Sequence, residues 1–221
     1  MSTRSVATGL THSPVLEDPT PEALADWIRE HSIDEIECVT ADFAGIARGK
    51  VMPAAKWFKG VETRLPTSVF FATITGYYAD SPHRELWSDA DMILKPELRT
   101  ATSLPWATVP SIQVIHDVLD LDGNPIDFAP RTVLRRVLNQ FEDLGWQPIV
   151  APELEFYLTK PNTDPDQPLE PPQGRSGRTQ RTNQAFSMQG IDEYESVIDH
   201  IYDFAEAQGV EIDTIIQEFG P

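Results

Sequence analysis

The chain has a single cysteine in 221 residues. Cys38 thus excludes a disulfide framework within the chain and fits a reducing compartment. It alternates with Ile36 in an apolar strand pattern and reads as a buried, inert thiol. Positive charge is also scarce: 17 Lys and Arg stand against 35 Asp and Glu, for a formal net charge of -18. A chain this acidic neutralises no phosphates, which argues against a nucleic-acid partner. Long apolar runs are missing, and the N-terminus "MSTRSVATGLTHSP" has no apolar signal segment. No membrane partner is expected, and the chain is read as soluble and cytoplasmic. Catalytic signatures are few: there is no HExxH, no CxxC pair, no Walker A loop and no GxGxxG. His12, His31, His83, His116 and His200 are scattered, so a zinc site is not expected. "QGRSGR" lacks the GK[ST] ending of a phosphate loop and reads as flexible linker.

What the sequence does contain is a globular chain with 40% apolar residues. Residues 1–18 read as a polar tail. "TPEALADWIREHS" starts a helix, with Thr20 as N-cap, Pro21 at the first helical position, and Leu24, Trp27 and Ile28 on one face. "IDEIECVTADFAGIARGKVMP" reads as two strands around a turn at Ala44-Gly45, with Ile36, Cys38, Ile46 and Val51 inward. "RLPTSVFFATITGYYA" has strand composition, and "SIQVIHDVLDLDGNPI" is a strand running into a turn at Asp122-Gly123-Asn124. The first expected domain, residues 19–125, is therefore a small α+β unit.

The pattern changes at Pro130. "PRTVLRRVLNQFEDLG" places Val133, Leu134, Val137, Leu138, Phe141 and Leu144 on one helical face, closed by Gly145. A strand "QPIVAPELEFYL", a long Pro-, Gly- and Arg-rich loop, a helix over "DEYESVIDHIYDFAEAQG" and a strand "VEIDTIIQEF" complete an expected second domain, 126–221. Two strands and two helices cannot cover their own faces, and the chain stops directly after a strand. An incomplete domain is the expectation.

In "APELEFYL" the strand period puts Glu153, Glu155 and Tyr157 on one face. Thr214, Ile216 and Glu218 share a face of the last strand. Three glutamates on neighbouring strands could form a hard-oxygen cage for Mg²⁺ or Mn²⁺; on spacing alone, the favoured reading puts both glutamates of the first strand on a solvated sheet face.

"PELEFYL" and "DTIIQEFG", each following a helix, resemble the metal-binding framework of the glutamine synthetase family. "VTADFAGIARGKVMP", "SDADMILKPE" and "FAPRTVLRRVL" match further stretches. The loop "PLEPPQGRSGRTQRTNQAFS" is similar to the γ-glutamylputrescine synthetase branch. The resemblance covers residues 20–221 and the N-terminal half of a family subunit. It implies an N-terminal β-grasp domain followed by the start of an α/β catalytic domain. It further implies an ATP-dependent ligase joining glutamate to an amine through γ-glutamyl phosphate. By position, Glu153 resembles the ligand of the metal serving the nucleotide phosphates, Glu155 and Glu218 resemble ligands of the other metal, and Asp213 resembles the acidic residue contacting ATP. The family's DGSS-type loop carries an aspartate for ammonium, whereas "TRLPTSVFF" has no acidic residue, so a polyamine such as putrescine is the expected amine. The resemblance also implies a homo-oligomeric ring for the intact protein and no activity for the half alone. The rival reading is a catalytically dead relative serving as an assembly or regulatory module.

Overall fold

The computed structural model describes Leu16 and residues 19–78, 89–179 and 184–218. The remainder of the expected tail, His83 and Arg181 fall outside the described residues. Contacts group the chain into two units: residues 1–148 with 207–209, and residues 149–206 with 210–221.

The first unit begins with helix α1 (Pro21–Glu30). Thr20 caps it, its Oγ1 accepting the Ala23 N–H at 3.1 Å, and Pro21 at the first turn loses no hydrogen bond. Strands β1 (Glu35–Ala41) and β2 (Ala47–Pro53), helix α2 (Ala54–Trp57), and strands β3 (Thr63–Pro66), β4 (Asp91–Pro96), β5 (Thr102–Ser103) and β6 (Ser111–Leu119) follow. The sheet runs β2-β1-β6-β4-β3, with β5 pairing β6. Its centre is a parallel pair, β1 with β6, in the register Ile36↔Ile112 and Cys38↔Val114; the other ladders are antiparallel. A mixed sheet with helices agrees with the α+β expectation.

One sheet face makes the core. Ile36, Cys38, Ile112, Val114 and Met92 are fully buried together with Leu24 and Ile28 of α1. Each large apolar side chain so buried contributes about 1.5–3 kcal/mol. Burial pushes the Cys38 thiol up to about 11, partly offset by its bond with Thr63, which agrees with an inert thiol. Val51 does not point inward as its sequence pattern suggests. The register pairs Met52 with Ile36 and Val51 with Glu37, so Met52 takes the core face and Val51 is 57% exposed.

The β1–β2 turn is held by a buried carboxylate. Asp42 Oδ1 accepts the N–H groups of Ala44 (2.8 Å) and Ile46 (2.9 Å), and Oδ2 accepts Arg48 Nε (2.7 Å). Burial alone would raise this carboxyl, but Arg48 and the two backbone donors outweigh it and hold it below the usual range. Gly49 in β2 lets the strands approach: an added Cβ would run into the Cys38 carbonyl. Phe128 packs against Phe43 (6.3 Å), Phe70 (5.8 Å) and Phe71 (5.7 Å), tying this turn to the segment that leads into helix α3 (Pro130–Asp143). Asp117 of β6 fixes α3 through Arg131 Nε at 2.8 Å and Arg135 Nη2 at 2.7 Å. The expected inward stripe of α3 is not buried. Val133, Leu134, Val137 and Leu138 are 40–57% exposed, because only the arginine face of the helix meets the sheet.

The extended reading of "RLPTSVFFATITGYYA" holds only for its first residues. The strand ends at Pro66, and Thr67–Phe71 forms a 3₁₀ turn, since proline removes the ladder donor and favours a turn.

Gly49→Ala is expected to cost about 1–3 kcal/mol by overpacking the β1–β2 pair, read as a lower denaturant midpoint. Acid should act in two windows. Burial depresses the His116 imidazole, whose Nδ1 lies 2.8 Å from the Val114 carbonyl, below its ordinary value of 6.5. Stability present above pH 6.5 therefore declines as pH falls below it, and His116→Leu should flatten that window. The Asp42 contribution is present above its ordinary value of 3.8 and is lost only as pH falls further.

Candidate functional site

Within the second unit, the candidate carboxylates lie on two segments without regular structure. Residues 149–158 and 210–218 belong to no ladder, so the expected strands over 147–158 and 210–219 are not formed among the described residues. A strand is stable when a neighbour satisfies its backbone and a packed face covers its side chains. Residues 149–158 have neither: Ile149 is 95% exposed and Leu154 90%. Glu153, Glu155, Asp213 and Glu218 are all exposed. None of the four makes a side-chain hydrogen bond or ion pair among the described residues. Their oxygens are thus free donors of the hard type that Mg²⁺ or Mn²⁺ takes. The structure does not gather them: among the described residues no group of three or more His, Cys, Asp or Glu stands close enough to hold a metal ion. Donor chemistry fits a divalent ion, and donor placement does not.

The 210–218 segment is tied at two points. Val210 N–H donates to Ala205 O at 2.9 Å, and Phe186 N–H donates to Gln217 O at 2.7 Å. Phe186 is one of two non-glycine residues with positive φ (61°) among the described residues, a conformation that costs energy and needs such a tie.

The Pro- and Arg-rich loop is more ordered than a flexible linker. Gln173 and Thr179 form a bridge around a tight turn in which Gly174 N–H donates to Arg178 O at 3.0 Å and Gly177 adopts φ +76°. Glu193 clamps this turn, accepting Ser176 N–H at 3.0 Å, while Arg175 N–H donates to the Glu193 carbonyl at 2.9 Å. The bonds from Ser176, aided by Arg175 and Arg178, hold the Glu193 carboxyl below its usual range. Gly174 admits the clamp, because a Cβ there would strike the Glu193 side chain. Arg175 reaches Glu195 at 2.7 Å, at the start of helix α5 (Glu195–Ala207), which follows the short helix α4 (Met188–Asp192). A cavity of about 360 Å³ lies between Leu158, Pro172 and Arg175 on one side and Glu193, Tyr194 and Val197 on the other. No sequence pattern announces this clamp, since Glu193 pairs across the loop with residues that read as linker.

In the first unit, "TRLPTSVFF" supplies no carboxylate of its own, but the fold brings one to it. Asp89 Oδ1 accepts the Ser68 N–H at 3.3 Å, and Tyr78 OH donates to Ser68 Oγ at 3.4 Å. Sequence reading missed this because 21 residues separate the partners.

Residues 127–221 match the family described as "Glutamine synthetase, catalytic domain". The chain is 25% identical over 202 residues to a glutamate–isopropylamine ligase of a Pseudomonas species, covering 89% of this chain and 43% of that protein. It is 30% identical over 193 residues to the γ-glutamylputrescine synthetase PuuA of Escherichia coli K12, covering 84% of this chain and 40% of that protein. The chain thus spans about two fifths of the length of these relatives. Among solved structures, a glutamine synthase homolog superposes with a TM-score of 0.60 over 85% of this chain and 41% of its own, at 17% identity, a likeness of fold. The chain is thus similar through most of its length to members of the glutamine synthetase family, and residues 127–221 carry that family's catalytic-domain match.

Proposed function

We propose that this chain supplies the N-terminal small domain and the opening of the catalytic domain, from residue 126 onward, of an ATP-dependent ligase that joins the γ-carboxylate of glutamate to an amine. The similarity over 193 residues to a γ-glutamylputrescine synthetase carries this reading. A mixed sheet with a central parallel pair and one covering helix suits a β-grasp-like small domain. Putrescine or another polyamine is the proposed amine.

In the proposed ligase Glu153, Glu155 and Glu218 would hold Mg²⁺ or Mn²⁺, which would offset the charge repulsion between glutamate and ATP. Asp213 would contact the nucleotide. The chain's own contribution is to present these carboxylates without competing arginine or lysine partners among the described residues. A homo-oligomer and a cytoplasmic location are proposed for the intact protein. Because the carboxylates are not gathered by these 221 residues, the chain alone is expected not to turn over.

Three measurements test the reading. Phosphate release with ATP and glutamate should be undetectable for the chain alone; robust amide synthesis by it would refute the proposed division of the site. In any preparation that does turn over, amide formation from putrescine should exceed that from ammonium at least tenfold. Equal rates would sink the polyamine assignment. In such an active preparation, Glu155→Gln should weaken Mn²⁺ binding at least tenfold, about 1.4 kcal/mol, measured by electron paramagnetic resonance of free Mn²⁺.

A further inference from the structure

We propose that the one-turn helix α2 is an acid-operated flap over His116: when the imidazole takes up a proton, α2 lifts away while the sheet stays paired. This goes beyond the ligase reading and does not depend on it. Three observations carry the inference. The first is placement. His116 follows Ile112 and Val114 in the β6 alternation, points into the core and is 1% exposed. Its ring stands edge-on to Trp57, the last residue of α2, with the centroids 6.4 Å apart.

The second is the lack of a counter-ion on this core face among the described residues. Helix α1 turns Leu24 and Ile28 inward, β1 turns Ile36 and Cys38, and β4 sets Pro96 opposite His116. The charged residues of α1 (Glu22, Asp26, Arg29 and Glu30) are exposed, as are Lys56 of α2, the following Lys59 and Lys95 of β4. Glu97, next to Pro96, is taken by Arg99. Asp117 lies on the opposite sheet face, held by Arg131 and Arg135, and its pull on the imidazole is opposed by Arg131. The third observation is how little holds the cover. α2 has four residues and no side-chain bond at its N-cap. Its inward residues are Ala54 and Trp57, and Phe58 and Val61 beyond it are exposed. The Arg29 guanidinium over the Phe58 ring, 4.5 Å from its centroid, is a weak tie at an exposed site.

A carbonyl can only accept, so His116 Nδ1 donates to Val114 O at 2.8 Å and a second proton must enter at Nε2. With α2 closed, that proton would sit in the core without water or carboxylate, which is costly. With α2 lifted, water solvates the imidazolium. One proton from solvent therefore accompanies opening. Opening is held down above the ordinary imidazole value of 6.5 and grows as pH falls below it.

Native-state hydrogen exchange of the chain at pH 7 and pH 5, corrected for intrinsic rates, reads this opening through the amides of Phe58 and Gly60. These donate to Ala54 O and Trp57 O. Their protection should be lower than that of the β6 amides at both pH values. It should fall by about 25-fold from pH 7 to pH 5, the linkage limit for one imidazole of ordinary value 6.5. In His116→Leu it should not change with pH. Should that variant not fold, Trp57→Ala supplies a second arm. By NMR, the His116 ring should titrate near its ordinary value in Trp57→Ala and well below it in the native chain. Protection of Phe58 and Gly60 that ignores pH, protection equal to that of β6 throughout, a pH response that survives His116→Leu, or the same ring titration with and without Trp57 would each overturn the proposal. These outcomes are read without ATP or metal, so they stand or fall apart from the ligase assays.

Discussion

The first unit depends on the parallel pairing of β1 with β6. It joins residues about 75 positions apart, as in Ile36↔Ile112, and everything else is hung on its two sides. β2 extends it through β1, and β4 and β3 extend it through β6. Helix α1 covers the face where Ile36, Cys38, Ile112 and Val114 are buried. Because such a pairing closes a long loop before any contact rewards it, the local devices beside it matter. Asp42 pre-forms the β1–β2 turn with three donors, and Gly49 removes the side chain that would hold the two strands apart. At the other end of β6, Asp117 orients α3 with two arginines.

The second unit is organised differently. Its order comes from polar clamps rather than from a packed face: Glu193 on the 173–179 turn, Arg175 on Glu195, and Phe186 on Gln217. The segment that bears Glu153 and Glu155 precedes these clamps and is exposed on both sides of its alternation up to Tyr157, and Glu218 is exposed next to the Phe186–Gln217 tie. Unpaired carboxylates are costly neighbours to one another and inviting to a cation. In the proposed ligase, which would bring two anions together, that would be the useful state for them.

Much of the first unit was legible in the sequence, for identifiable reasons. Thr20-Pro21 and Gly145 mark helix ends by chemistry that acts within a few residues, and the β6 alternation is long and regular. Val51 was misassigned because alternation gives two faces without saying which is inner; the register with β1 decides that. The apolar stripe of α3 was read correctly as a stripe, but a stripe does not state whether anything covers it. The strand pattern of "APELEFYL" was visible too, yet a strand is a property of a pair, and its partner cannot be read from one segment. Asp89 beside Ser68, and Glu193 beside Ser176, were illegible because side-chain to backbone bonds across long loops leave no periodic trace.

The account's central claim is that the candidate metal carboxylates ride on segments that belong to no ladder among the described residues, whereas the sheet of the first unit is ordered independently. Native-state hydrogen exchange of the chain tests this most directly. The account predicts slow exchange for the paired amides of β1 and β6 and exchange near the unprotected rate for residues 153–157 and 211–216. Protection of residues 153–157 comparable to that of β6 would contradict it.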